Sequence, residues 1–143
     1  MNAALAPSPR WLTWVGILFL AWNLMGIAAF VSQSTMSAAD IAALPQQQRD
    51  LWVSMPGWAW VAYAIAVFVA IIGSIGLILR KWWAPLAYSV SLIAVIIQFS
   101  YPFLLAQGAQ TDLGMLAFPI FIVVMGVLQW QLSRAWQRKG WLG

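Results

Sequence analysis

The chain has no cysteine and no histidine, and only three acidic residues among 143. These absences exclude disulfides, thiolate nucleophiles, the usual haem ligands and most transition-metal sites. So few groups remain to serve as acid, base or nucleophile that the sequence predicts a protein that is not an enzyme, with no metal or cofactor. Charge is scarce altogether: 7% of residues are charged and 64% are hydrophobic, with a mean hydropathy of +0.85. Ordinary globular domains are about 25% charged and about 45–50% apolar, so a soluble domain is excluded too.

What the chain does have is long apolar runs. Trp11 to Val31, Gly57 to Leu79, Ala84 to Leu105 and Leu113 to Leu132 contain no Asp, Glu, Lys or Arg. Each reaches about 20 residues, the length over which a helix satisfies its own backbone groups across a hydrocarbon layer about 30 Å thick. A secretory signal over the first run fits less well. The run exceeds a signal core of about 7–15 residues, and Trp11, Trp14 and Trp22 suit an anchored span. The expected fold is all-α, an integral membrane four-helix bundle forming one transmembrane domain over residues 1–143. Residues Asn2 to Pro9, with two prolines and no charge, read as a short disordered tail.

The charges partition between alternate ends of these spans. Arg10, Arg80, Lys81, Arg134, Arg138 and Lys139 fall at one end, and Arg49, Asp40, Asp50 and Asp112 at the other. Under the positive-inside rule both termini and the Arg80-Lys81 turn are cytoplasmic, and the loops around Asp40 to Asp50 and Gln107 to Asp112 face out. The basic residues are then contacts for anionic lipid headgroups rather than for nucleic acid. Trp11, Trp14, Trp82, Trp83, Trp136 and Trp141 would form the inner aromatic belt, and Trp52, Trp58 and Trp60 the outer one. Gln129 and Gln131 read as interfacial beside Arg134 and Arg138.

The Ser32 to Pro56 connection exceeds the about 2–8 residues usual between bundle helices, which predicts structure within it. Ser37 is placed to cap a short helix over Ala38 to Leu44 with Asp40 in its first turn, and Pro45 to open a second over Gln46 to Ser54. The pair forms either a cover resting on lipid and the bundle end or a docking or gating lid. In the second span Ala62, Ala66, Ala70 and Ser74 recur at every fourth position, a small-residue stripe that lets helices approach closely in lipid. Val61, Ile65, Phe68, Ile72 and Ile75 form its bulky opposite side.

The polar residues inside the spans are the candidate ligand-binding set. Counted at about 1.5 Å per residue from Trp11 and Ala84, Asn23 lies about 18 Å up and Gln98 about 21 Å up, on one expected level. Trp22, Ser100 and Tyr101 are close in sequence. Pro102 and Pro119 lack the N–H groups that would bond the carbonyls of Gln98 and Met115. Trp22, Asn23, Gln98 and Tyr101 could thus line an outward pocket for a neutral hydroxylated or lipidic ligand, or the two amides could simply bond neighbouring helices.

The segments Pro9-Arg10-Trp11, Trp22-Asn23-Leu24-Met25-Gly26, Met55-Pro56 with Trp58-Ala59, and Ile96-Ile97-Gln98-Phe99 resemble a family of small four-helix inner-membrane proteins of proteobacteria. The likeness runs over nearly the whole chain and includes no catalytic motif. Members are often labelled sugar transporters, so the resemblance implies a four-helix fold, a bacterial inner membrane and a sugar-like ligand. From the residues themselves two functions fit. One is an accessory, scaffold or lipid-interacting component that packs against lipid or a membrane-protein partner. The other is a small solute or lipid carrier, which with four helices would have to work as a parallel homodimer.

The charge bias predicts that a fluorescent reporter fused after Gly143 is bright and that an export-dependent phosphatase inserted near Gln47 is active. Phosphatase activity at Gly143 with silence at Gln47 would reverse the topology.

Overall fold

The computed structural model describes residues 6–106 and 113–143. Six helices follow in order: α1 (Trp11–Ser34), α2 (Ala38–Ala43), α3 (Gln46–Ser54), α4 (Gly57–Ile78), α5 (Ala84–Ala106) and α6 (Leu113–Arg138). Among the described residues, α1, α4, α5 and α6 are long and apolar enough to cross a membrane. The protein is therefore an all-α bundle of the multi-pass membrane type. The expected loop Gln107 to Asp112 and the tail residues 2–5 lie outside the described residues.

The bundle is built on α4. Ala62, Ala66, Ala70 and Ser74 are all buried, while Val61, Ile65, Phe68, Ile72 and Ile75 stay exposed on the opposite side, where a membrane would place lipid. With only methyl groups and a hydroxyl between the backbones, α4 packs closely against α1 on one side and α5 on the other. Ser91 of α5 donates to the carbonyl of Ala66 at 2.7 Å, a contact that a larger residue at 66 would prise apart. At Gly73 an added Cβ would sit 3.1 Å from the ring of Tyr88, so the absence of a side chain lets that ring lie flat on α4. α6 packs on α5 in turn. The α1 and α6 backbones share no comparable contact and meet through side chains instead.

The ends carrying the basic residues come together as one closed floor. Trp11 stands edge-on to Trp136 and to Trp141, and Leu12, Trp136 and Leu142 are buried there with Leu77 and Ala84. Backbone bonds join Gly143 N–H to the carbonyl of Arg80 at 2.8 Å and Ala6 N–H to that of Gly140 at 3.0 Å. Two sequence expectations change here. Trp136 is a core residue rather than part of an aromatic belt, because α6 continues to Arg138 and turns its last rings inward. Residues 6–9 are not a free tail, being held against Gly140 with Ser8 and Pro9 half-buried. Arg80 closes α4 in the left-handed region (φ 57), with Lys81 N–H reaching the Gly76 carbonyl at 2.8 Å and Arg80 N–H that of Leu77 at 3.1 Å. This is the double bond pattern that ends a helix, made here without the usual glycine.

At the opposite end stand the short helices α2 and α3, and Trp52 of α3 stacks on Trp60 of α4. The N-cap of α2 is a reciprocal capping box between Ser37 and Asp40, whose carboxylate accepts the Ser37 hydroxyl at 2.7 Å and its N–H at 3.1 Å. The hydroxyl bond and then the N–H bond hold the Asp40 carboxyl below its ordinary range. Arg49 donates to the Leu44 carbonyl at 3.0 Å and so ties α3 back to the end of α2.

Ala66→Leu should lower the melting temperature in detergent, since overpacking of a close contact costs about 1–3 kcal/mol, whereas the exposed Ile65→Leu should leave it unchanged. Equal melting of the two variants would mean that the alanine row does not hold helices together.

Candidate functional site

Two polar groupings occupy the bundle interior, and they differ in one respect: the side chains of the first are hydrogen-bonded to one another and those of the second are not. The first centres on Asn23 of α1. Its amide N–H groups point to Ser74 Oγ at 2.9 Å, Gln129 Oε1 at 3.2 Å and the Ala70 carbonyl at 3.3 Å, and Gln129 returns a bond from Nε2 to Asn23 Oδ1 at 3.4 Å. Ser74 donates to the Ala70 carbonyl at 3.0 Å and lies 2.9 Å from the Tyr88 hydroxyl. With its one proton committed to Ala70, Ser74 accepts from both Asn23 and Tyr88, so each side chain of the set has at least one partner within it. All four long helices are stitched at this point, and the amide pair spans the line where the α1 and α6 backbones stand apart.

Gln129 is thus no interfacial residue: it is 2% exposed, while Gln131 is exposed as expected. The helix runs on past Leu132 to Arg138, which carries Gln129 more than two turns inside the bundle. A signal was present in the sequence, since Gly126, Gln129 and Ser133 share one face of α6 and mark an inward stripe.

Asn23 and Gln98 do not meet. Gly16 of α1 sits against Ile78, so closely that an added Cβ would be 2.8 Å from the Ile78 side chain. α1 therefore begins below the end of α4, and counting depth from Trp11 placed Asn23 too far from the basic end. It pairs with Ala70 and Ser74 instead, while Gln98 lies two helical turns beyond Ser91, toward the α2–α3 end.

Gln98 belongs to the second grouping. It is 8% exposed, and its side-chain amide makes no hydrogen bond among the described residues. It lies in the wall shared by two spaces. One is a cleft of about 400 Å³ beneath α3, lined by Gln48, Asp50 and Trp52 of that helix and by Tyr101, Pro102 and Pro119 of the long helices. The other is a chamber of about 240 Å³ between the four long helices, reaching from Gln33 down to Asn23 and Gln129, with Trp22 in its wall. Gln33, Tyr63 and Phe99 border both, as Gln98 does.

Aromatic rings fix the cover over the cleft. Trp52 of α3 stacks on Trp60 at 5.0 Å, and Phe30 stands edge-on to Trp60, Tyr63 and Phe68. The Tyr101 hydroxyl donates to the Ser54 carbonyl at 2.6 Å, and its ring meets Trp58 edge-on. Tyr101 therefore fastens α3 to α5 while also lining the cleft. Of the four expected ligand residues, Gln98 and Tyr101 border the cleft, and Trp22, Asn23 and Gln98 the chamber. Gln33, Tyr63 and Asp50 were not singled out from the sequence; two lie near span ends and one in the loop, where depth counting has no purchase. Among the described residues no group of His, Cys, Asp or Glu could hold a metal ion. No protein-family model, curated protein or solved structure matches the chain.

Gln129→Leu should destabilise the bundle by about 1–2 kcal/mol, because it leaves the buried Asn23 amide short of partners. Gln131→Leu should be neutral. A detergent melt in which both variants match the parent protein would show that the Asn23–Gln129 pair does not hold α6 in place.

Proposed function

We propose that this is a ligand-binding component of a bacterial inner membrane, taking up a small hydrogen-bonding amphiphile from the non-cytoplasmic side, with both termini cytoplasmic. The observation that carries the reading is Gln98. Its side-chain amide has no protein partner among the described residues and borders the cleft, so its hydrogen bonds are open to whatever occupies that space. Its persistence beside a cleft of about 400 Å³ is accounted for if a ligand completes its hydrogen bonds. Rings at Trp52, Tyr63, Phe99 and Tyr101 offer stacking faces, and Gln48 and Asp50 add acceptors at the rim.

Binding fits better than passage. The basic end is closed by Trp11, Trp136, Trp141 and Leu142, and the described spans offer no ionisable residue of the kind that couples transport to an ion gradient. The same absence favours a role beside a membrane-protein partner or in handling lipid over that of a carrier acting alone.

The test compares parent protein and Gln98→Leu by native mass spectrometry after extraction in mild detergent. The parent should retain a small molecule, and the variant should lose it by at least about tenfold. Because Gln98 has no partner to orphan, its melting temperature should hold or rise, the opposite sign to Gln129→Leu. A parent protein that retains nothing, or a clear drop in the stability of Gln98→Leu, would overturn the reading.

A further inference from the structure

The inner chamber has a shape and a polarity that specify more than an amphiphile in general. On α1 it runs from Asn23 to Gln33, which at about 1.5 Å per residue is about 15 Å along the bundle axis. A volume of about 240 Å³ drawn out over that length is a narrow bore with room for one hydrocarbon chain. It is ample for apolar matter, since a dry cavity of about 150 Å³ already holds a benzene molecule.

Met25, Val67, Val95, Phe118 and Ile122 give the bore an apolar wall. The amides at its floor are bonded to each other, and Asn23 to Ser74 as well. Ser91 in the wall is spent on the Ala66 carbonyl. At the boundary with the cleft stand Gln98, Gln33 and Tyr63, whose polar side-chain groups make no hydrogen bond among the described residues. Polarity therefore rises from the bore toward the cleft, as it does along a lipid from tail to head.

The chamber is also open sideways. Met25 and Phe118 line it and yet are 63% and 64% exposed, and they stand on α1 and α6, whose backbones do not pack together. A chain can slide in from the surrounding hydrocarbon through this slit while its head stays at the level of the cleft. The head is thus never dragged through apolar surroundings.

From these features we infer that the ligand is a single-chain amphiphile, its hydroxyl- or amide-bearing head in the cleft against Gln98 and its one acyl or alkyl chain in the chamber between α1 and α6. This rests on the binding role proposed for the cleft and adds the class of molecule bound and the path it takes. The bore takes one chain, so a two-chain lipid would have to leave its second chain outside the slit, and the apolar wall disfavours compact polar solutes.

The probe is a monoacylglycerol carrying a diazirine at the end of its chain, added to the full-length protein in phosphatidylethanolamine–phosphatidylglycerol nanodiscs, irradiated, and mapped by peptide mass spectrometry. Labels should fall on Val67, Val95 or Ile122 and be competed away by excess unlabelled monoacylglycerol. Ile122→Trp, which fills the bore, should cut that labelling by at least about tenfold, whereas Val124→Trp on the exposed side of α6 should not. Val95→Phe fills the bore from α5 and serves if Ile122→Trp fails to fold, as judged by melting. Competable labels confined to cleft residues such as Trp52 and Leu116 would overturn the single-chain inference and leave the cleft as a binding site. Labels confined to Leu18, Ile72 and Val124, without competition, would overturn both.

Discussion

A hydrogen-bonding group inside a hydrocarbon layer has to find its partner within the protein or on a ligand, because water is not there to supply one. The polar residues that bond across the long helices are placed by that rule. Asn23, Ser74, Tyr88 and Gln129 close on one another, and their closure joins all four long helices at one point. Ser91 closes on a backbone carbonyl. Gln98 does not close, and it is the one of these groups that borders the cleft. The same constraint makes the first set a rivet and leaves the last residue open to a partner from outside the protein.

Helix association in lipid gains nothing from hydrophobicity, so it depends on close packing and on such bonds. The alanine row of α4 supplies the packing on two sides, to α1 and to α5. α6 has bulkier neighbours and stands off from α1, held by Trp22 against Phe121, Trp11 against Trp136 and the Asn23–Gln129 amides. Where side chains rather than backbones bridge two helices, space remains between them. The chamber is the consequence of tight packing on one side of the bundle and loose packing on the other.

The two ends of the molecule are built for different purposes. At the basic end the chain termini, the α4–α5 turn and the large rings interlock through backbone bonds and buried side chains. At the other end the described residues hold the cover through ring contacts and the Tyr101 bond to the Ser54 carbonyl, among others, and α2 and α3 contribute no buried residue. Few buried contacts mean a low free energy of local opening. The cover is also the element above the cleft.

The number of spans, their boundaries apart from the end of the fourth, the two short helices of the connection with the Ser37 cap of the first, and the small face of α4 were legible in the sequence. Each follows from local composition or from a period along one helix: twenty apolar residues, a Ser37–Asp40 box, an alanine at every fourth position. Which polar residues meet was not legible. Asn23 and Gln98 appeared level because depth was counted from Trp11, and the contact of Gly16 with Ile78 shifts α1 toward the basic end. Gln129 and Trp136 looked interfacial because the apolar run stops at Leu132, whereas the helix continues to Arg138 and carries both inside. Axial offsets between helices and the extension of a helix past its apolar stretch depend on contacts between residues far apart in the chain. The sequence by itself therefore determined the elements and their faces, and only the tertiary structure decided the register that pairs Asn23 with Gln129 and leaves Gln98 beside an open space.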